Sequence, residues 1–530
     1  MSDLLEFRLL KYVAVIAETG NFTRAAEKLY TSQPSLSHQI IDLEDGLGME
    51  IFERSRDRVT PTPGGLIIVE YAKEAVRTRN EVVKAALAVH HGEVAPLRLG
   101  FSCFVPTPVP LSSKDRHAIL ENVLAALRKR FYAPEKLNAN WQATVERHRP
   151  IIEGAAMADA FEQAMSDLLA ELHTSHLGFF HGTARRASSR AALSANYLAD
   201  ETPYGKRWIF QDLHAGGAGA LAGIEPGNIL LRVDGQEISP PEHPVFPMGK
   251  QSAVEFIAND DRRRTVSVDV ARPKGKKLHF IEPTLVEAKQ LGDGLGYLKI
   301  AMFPGMVGVV VANQISNAVA SLGSLDNLII DLRGNTGGGI AALRVMSLLT
   351  PGRIPVGFSL DRRRTKEHLE TEKLNFPRFS RIPPSPGNLW LLGLRYAPAM
   401  LSKKPIVLET EGLGPMPFHG RVVLLVDRHT ASAAEMIVAF ARENNLAAII
   451  GEKTAGRLLS ATSVKVGSGF RLALPTGAYY TWKGSILEGT PIAPGQLIDF
   501  DWRDKRSTGK DRQLDLAVDS FQRRATARAS

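Results

Sequence analysis

Apolar residues recur at helical spacing three times within the first fifty positions. LEFRLLKYVAVIAE (5–18) is one run, and TRAAEKL (23–29) is a short second with Thr23 as its expected cap. SQPSLSHQIIDLEDGLG (32–48) is the third. Ser32 suits its N-cap, Pro34 its first turn, and Leu36, Ile40, Leu43 and Leu47 form one apolar stripe. That stripe turns Gln33, Ser35, Ser37 and His38 outward near the helix N-terminus, the edge that a helix-turn-helix sends into the major groove. A loop or wing, IFERSRDRVTPTPGG (51–65), places Arg54, Arg56 and Arg58 where they can grip phosphate. The amphipathic run 64–91 predicts a linker helix suited to pairing with its twin.

The pattern then changes. VAPLRLGFSC (94–103) has the look of a strand, and FVPTPVPLSSKD (104–115) is Pro-rich and reads as a linker. Two helical patterns follow, DRHAILENVLAALRKRFY (115–132) and AMADAFEQAMSDLLAELHTSH (156–176). The second ends in Ser175 and His176, which by themselves describe a polar helix end. Residues 215–238, AGGAGALAGIEPGNILLRVDGQEI, contain a Gly-rich turn, about one helical turn, a strand and an Asp-Gly hairpin signal. RTVSVDVARP (264–273) alternates as a closing strand. This segment resembles a PDZ domain, which holds a peptide's C-terminal end by strand addition; a small structural β-domain is the plainer reading. From about residue 290, strands (GYLKIAMF, NLIIDLRG, RVVLLVD, AAIIGE) alternate with helices (GVVVANQISNAVASL, IAALRVMSLL, ASAAEMIVAFAREN), which is α/β architecture.

Composition narrows the picture only slightly. The 530 residues exceed one core and suggest roughly three or four domains. A formal charge of +9 spread over that length selects no partner. Cys103 is the single cysteine, so neither an intrachain disulfide nor a cysteine-based metal site is possible. The N-terminus lacks a cleavable signal pattern, and no apolar run approaches the ~18 residues that span a bilayer. A cytoplasmic protein without membrane contact is expected.

The stretch FTRAAEKLYTSQPSLSHQIIDLEDGLGMEIFER (22–54) closely resembles the winged helix-turn-helix of LysR-type transcriptional regulators, over about the first 90 residues. The resemblance implies double-stranded DNA binding as a homodimer, with Gln33, Ser35 and His38 on the reading helix and Arg54 and Arg56 on the wing. Acids and bases nearly balance in this segment, so affinity must come from a few placed arginines and a helix N-terminus. The family's two-lobed sensor does not follow. The break near residues 100–112 also fits a join between two separate proteins.

The candidate chemistry lies in the C-terminal half. DLRGNTGGG (331–339), between a strand and a helix, is a glycine run whose amides can face a bound oxygen, as a phosphate loop or an oxyanion hole; its spacing is not that of a Walker sequence. In RHTASAAEM (428–436), Ser432 and Glu435 make a capping box, and a serine there needs a nearby base before it can act as a nucleophile. IIDLRGNTGGG, VDRHTASAAEM, IIGEKTAGR and LEGTPIAP, in that order, resemble the C-terminal-processing (tail-specific) serine peptidases over residues 113–520. That resemblance implies Ser432 as nucleophile and the amides of Gly337 and Ala433 as oxyanion hole. The branch that uses a lysine base has it where this chain has Arg457, and a guanidinium stays protonated. Lys453 is not at the motif's lysine position. The tricorn-core branch instead uses a histidine, a second serine and a glutamate, which Ser175–His176 and Glu488 match. His176 is then the expected general base, with Ser175 and Glu488 orienting it.

The expected architecture is multidomain: a winged helix-turn-helix (1–62), a dimerisation helix (63–92), a linker (93–112), a helical part of the peptidase (113–200), a PDZ domain (205–272) and a ClpP/crotonase-like spiral peptidase core (273–525). No metal or organic cofactor is expected. The leading function is a serine endopeptidase acting on polypeptide and fused to a DNA-binding domain. The alternative is a transcriptional regulator whose peptidase-like part is an inactive peptide sensor.

Overall fold

The computed structural model describes residues 6–54, 59–90, 111–155, 157–181, 186–271, 281–292, 294–362, 373–401, 404–414 and 420–529. Arg56, Arg58, Cys103, the strand expected at 94–103 and most of the expected linker lie outside the described residues. The chain divides into two compact units, residues 1–111 and 112–530.

In the first unit, α1 (Phe7–Thr19), α2 (Phe22–Lys28) and α3 (Gln33–Leu47) follow the predicted periodicity. Leu36, Ile40 and Leu43 are buried with Val13, Ile16, Phe22 and Phe52, while Leu47 is partly buried. Ser32 caps α3 through a bond from the Ser35 amide (3.3 Å). The cap of α2 is Asn21 rather than Thr23. The helix begins at Phe22, so Thr23 lies inside its first turn, and Asn21 Oδ1 accepts from the Thr23 and Arg24 amides at 2.8 and 3.1 Å. Strands β1 (Phe52–Arg54) and β2 (Val59–Pro61) pair antiparallel as the wing, and α4 (Pro63–His90) runs for 28 residues. Buried Glu44 clamps wing to helix: Oε1 accepts from the Ile51 and Phe52 amides at 2.8 and 3.0 Å.

The second unit opens with α5 (Ser113–Arg130), α6 (Ala139–Gly154) and α7 (Ala158–Ala170). Then β3 (Gly178–His181) leads past α8 (Ser189–Leu193) into an antiparallel sheet. That sheet is built from β4 (Ala195–Thr202), β5 (Gly205–Leu213), β6 (Ile229–Val233), β7 (Gln251–Ile257) and β8 (Arg263–Asp269), in the order β8-β7-β6-β5-β4, with Gln236–Glu237 pairing β6. The Asp-Gly signal is a tight hairpin, since Asp234 and Gly235 both have positive φ (51° and 79°). Trp502 packs against Ile209, Ile229 and Leu231 of this sheet and donates to Asp200 (2.7 Å), holding the sheet to the later chain.

The remaining strands form two sheets. One has β9 (Val286–Gly292), β10 (Leu295–Ile300), β11 (Asn327–Asp331), then β14 (Arg421–Val426), β15 (Ala448–Gly451) and β18 (Gln496–Leu497). Its neighbours are parallel except for β9 with β10. Between these come α9 (Val309–Ser321), α10 (Ala342–Leu348) and α11 (Ala433–Glu443), all contributing to one apolar core. The near-continuous apolar runs of β11 and β14 are explained by burial on both faces. The second sheet includes β12 (Pro355–Asp361), β13 (Val407–Glu409), β16 (Leu459–Gly467) and β17 (Phe470–Thr481). Strand β3 joins it by pairing with β17 at residues 470–473, beside the stacked rings of Phe179 and Phe470. This pairing carries Ser175 and His176, three hundred residues upstream, to the strand that precedes Glu488.

Among the described residues, no helix is long and apolar enough to cross a membrane, and no cluster of His, Cys, Asp and Glu could hold a metal ion.

Candidate active site

Ser432 is the N-cap of α11, where chain direction reverses from β14 into the helix. Its φ of 56° and ψ of −123° are strained for a non-glycine residue, at a cost of about 1–3 kcal/mol. The Ser432 amide is committed twice, to Arg457 O (3.0 Å) and to Glu435 Oε2 (3.2 Å). The bond from the Ser432 amide to Glu435 is one half of the capping box expected for this helix, which the structure retains.

Gly337 explains itself by contact. With φ of 89°, its Cα lies so close that a Cβ would meet Ser432 Cβ at 2.5 Å and the Ala433 nitrogen at 2.6 Å. Its amide, however, donates to Asn335 Oδ1 at 2.8 Å inside the loop. Gly337 thus permits the close approach, and in this structure its N–H is engaged within the loop. The segment after it pairs with Phe303, through Phe303 N to Gly337 O (2.9 Å) and Gly339 N to Phe303 O (2.6 Å). Such pairing leaves the Gly338 N–H on the opposite side of the segment. Ala433, the first residue of α11, follows Ser432 directly.

Ser175, His176 and Glu488 do come together. Ser175 Oγ donates to Glu488 Oε2 and lies 2.7 Å from both that oxygen and His176 Nδ1. A hydroxyl has one proton. Having given it to the carboxylate, Ser175 Oγ accepts from His176 Nδ1–H, which leaves Nε2 as the basic nitrogen. Glu488 also accepts from the Ser175 amide (2.8 Å) and the Leu458 amide (3.0 Å). Burial lowers the His176 pKa from its ordinary 6.5, the Arg457 cation lowers it further, and Glu488 opposes both. The imidazole keeps an exposed face, so solvent screens these influences. Among the described residues no hydrogen bond joins His176 to Ser432. They are linked through the Arg457–Leu458 backbone, which bonds Ser432 on one side and Glu488 on the other.

Two buried carboxylates assemble this geometry: Glu435, read from the sequence only as a capping-box partner, and Asp427, which sequence reasoning did not single out. Glu435, fully buried, accepts from Thr454 Oγ1 (2.6 Å), Gly456 N (2.7 Å), Arg457 N (2.8 Å) and Ser432 N (3.2 Å). Burial pushes its pKa up and the four donors pull it back. Asp427 accepts from the amides of Gly334 (3.0 Å), His429 (3.0 Å) and Thr430 (2.9 Å), tying the glycine loop to the serine loop. Its burial raises its pKa. The available signal was an acid ending an apolar strand run, RVVLLVD. Helix α8 and the antiparallel sheet also reach the glycine loop. Arg190 donates to Gly334 O (2.7 Å), and a Cβ on Gly334 would meet Asp212 Oδ2 at 2.2 Å. Lys453 is exposed on the turn that Glu435 organises.

In the first unit, Gln33, Ser35 and His38 are exposed on α3, with His38 Nδ1 2.9 Å from Asp42. Arg54 differs from expectation. Its guanidinium bonds Glu44 (2.8 Å) and Ser37 (3.2 Å) and covers the Phe22 ring, so it braces the reading helix instead of standing free for phosphate.

Comparison with known families agrees with both halves. Residues 294–497 match the model of peptidase family S41, and residues 7–66 match that of the bacterial regulatory helix-turn-helix proteins of the lysR family. The chain joins a LysR-type helix-turn-helix domain to an S41 peptidase domain.

The LysR-type domain is 41% identical over 80 residues to the HTH-type transcriptional regulator YcgK of Bacillus subtilis, covering 15% of this chain and 25% of that protein. It is 42% identical over 87 residues to the Hca operon transcriptional activator HcaR of Escherichia coli, covering 15% and 29%. The chain thus spans about a quarter to a third of the curated relatives it matches first. Around the S41 domain, similar solved structures include a photosystem II D1 C-terminal processing protease, with 18% identity, TM-score 0.46, and coverage of 73% of this chain and 93% of that one. The tricorn protease is another, with 16% identity, TM-score 0.40, and coverage of 77% and 36%.

Proposed function

We propose that the chain is a serine endopeptidase that cleaves polypeptide and is carried by a DNA-binding domain. The observation that carries this reading is the Glu488–Ser175–His176 relay, whose Glu488 is bonded to the Leu458 amide, next to the residue whose carbonyl holds the Ser432 amide. His176 takes the Ser432 Oγ proton as the oxygen attacks the scissile carbonyl carbon, then gives it to the leaving amine. Water repeats the sequence to free the acyl group. The Ala433 amide, at the head of α11, is one donor to the oxyanion, and the Gly338 amide replaces Gly337 as the second. Substrate binding draws Nε2 and Oγ together, since such bonds are commonly long in the unliganded state. No metal or organic cofactor enters the reaction.

Further parts of the reading rest on the same footing. The antiparallel sheet β4–β8 supports a PDZ domain at 205–272, and the parallel strand run β10-β11-β14-β15-β18 supports a ClpP/crotonase-like spiral for the core at 273–525. Domain limits at 1–62, 63–92, 93–112 and 113–200 complete the organisation. Exposed Gln33, Ser35 and His38 read base edges of double-stranded DNA in a homodimer paired through α4, and the protein works in the cytoplasm.

A fluorophosphonate probe tests the peptidase. Ser432 is expected to be labelled in the folded protein, and Ser432→Ala to abolish labelling. The missing Ser432–His176 bond favours a second reading, a regulator whose peptidase-like unit senses peptides without cutting them. Folded protein that stays unlabelled decides for that reading.

The DNA half predicts a salt response. Gel-shift affinity for a duplex enriched by the protein from a random pool is expected to fall steeply between about 50 and 200 mM salt. Gln33→Ala should relax sequence preference without changing the salt slope. A duplex bound equally well at both salt concentrations, or not bound even at the lower one, refutes it.

A further inference from the structure

We propose that Arg457 is a specificity residue that recognises a substrate carboxylate close to the scissile bond. The inference rests on the peptidase reading of the site and adds the substrate's chemistry to it.

The main chain of Arg457 is held from both sides. Its amide donates to buried Glu435 Oε2 (2.8 Å), its carbonyl accepts from the Ser432 amide (3.0 Å), and the next amide, of Leu458, donates to Glu488 (3.0 Å). The Cα therefore has a set position relative to nucleophile and relay. The side chain, by contrast, is exposed, and among the described residues no carboxylate pairs with it. Three other arginines of this unit are paired with carboxylates. Arg333 bonds Asp331 and Asp511, Arg428 bonds Glu452, and Arg344 bonds Glu411. The nearby acid of the relay, Glu488, is already shared among Ser175 and Leu458 donors. The backbone bonds place Arg457 one residue from the relay's Leu458 contact and in direct contact with the nucleophile's amide, and its charge lowers the His176 pKa.

A guanidinium always carries its charge, and its planar fork matches a carboxylate with two parallel bonds. A cation held beside the base, unpaired and facing solvent, is completed by an anion that arrives with the substrate. Two sources supply that carboxylate: the free C-terminus of a polypeptide cut near its end, or an Asp or Glu side chain flanking the bond. Either one excludes polypeptides that place a basic residue there, by like-charge repulsion.

The test uses full-length protein with Ser432→Ala, so that peptides bind without turnover. The probes are N-terminally fluoresceinated Ala/Leu peptides of three to eight residues, each as free acid and as C-terminal amide. A second set is amidated and carries one Glu, or one Gln, at each position in turn. Anisotropy is expected to show at least one carboxylate peptide binding about tenfold or more tighter than its neutral partner. A free-acid preference identifies the C-terminus as the source, and a Glu-over-Gln preference identifies a side chain. Arg457→Gln should remove the preference and Arg457→Lys should retain part of it, with melting curves confirming both folds. No carboxylate preference, no measurable binding of any carboxylate peptide, or a preference that survives Arg457→Gln overturns the proposal; the last outcome assigns carboxylate capture to the antiparallel sheet. Fluorophosphonate labelling of otherwise native Arg457→Gln protein reports on Ser432 separately, so loss of the peptidase reading is seen independently of the binding result.

Discussion

Replacing His176 with alanine is expected to lower kcat/KM for a quenched fluorogenic peptide by on the order of 10⁴-fold or more, because His176 is the proposed acceptor of the Ser432 proton. Lys453 is exposed on a turn, and the guanidinium of Arg457 cannot accept a proton. The pH profile of the unaltered enzyme carries the same assignment. Burial, then Arg457, hold the His176 pKa below 6.5 against the pull of Glu488. A depressed value keeps the imidazole neutral to lower pH, so kcat/KM should stay level through neutrality. It should fall only as pH drops through a midpoint below 6.5. Arg457→Gln removes a lowering influence and moves the limb to higher pH. Glu488→Gln removes the raising influence and moves it lower, while also weakening the acceptor that fixes the tautomer. A His176→Ala enzyme with near-normal turnover, or a limb centred above 6.5, would eliminate His176 as base.

The second large effect is structural. Glu435→Ala strips the common acceptor from the Ser432, Gly456 and Arg457 amides and from the Thr454 hydroxyl. The Ser432 amide keeps its bond to Arg457 O, but each of the other buried donors left without a partner costs about 1–3 kcal/mol. The losses are not strictly additive, but several kcal/mol is a large share of a domain's ~5–15 kcal/mol stability. A fall in Tm of about 10 °C or more is expected, together with loss of probe labelling at Ser432. Glu435→Gln keeps one acceptor oxygen but turns an NH2 group toward two of the donors, so it should fold with a smaller fall in Tm and still label poorly. An unchanged melting curve for Glu435→Ala would show that the four bonds are dispensable.

Several features are legible in the order of residues alone. The stripe of Leu36, Ile40 and Leu43 and the Ser32 cap describe α3 because helix periodicity and capping act within a few residues. The alternation of β10, α9, β11, α10, β14, α11 and β15 follows from apolar runs of the right length. The candidate relay was also reachable, since the four motifs lie in a recognisable order. Arg54 shows the opposite case. Its sequence position suggests a free cation, and only the burial of Glu44 on the neighbouring helix reveals where its charge goes. Gly337 is similar: its type announces a close approach, but the direction of its amide depends on the Asn335 side chain.

The amino-acid sequence by itself determined the helices and strands, the two-part organisation and the serine at a helix head. All of these depend on residue type and on spacing along a few turns of chain. The tertiary structure alone decided which polar groups meet: Ser175 with Glu488 across more than three hundred residues, Glu435 under the Arg457 turn, Asp427 under Gly334. Those choices follow from the cost of burying a carboxylate or an amide without a partner, and that cost is settled only when distant segments have packed around the same point.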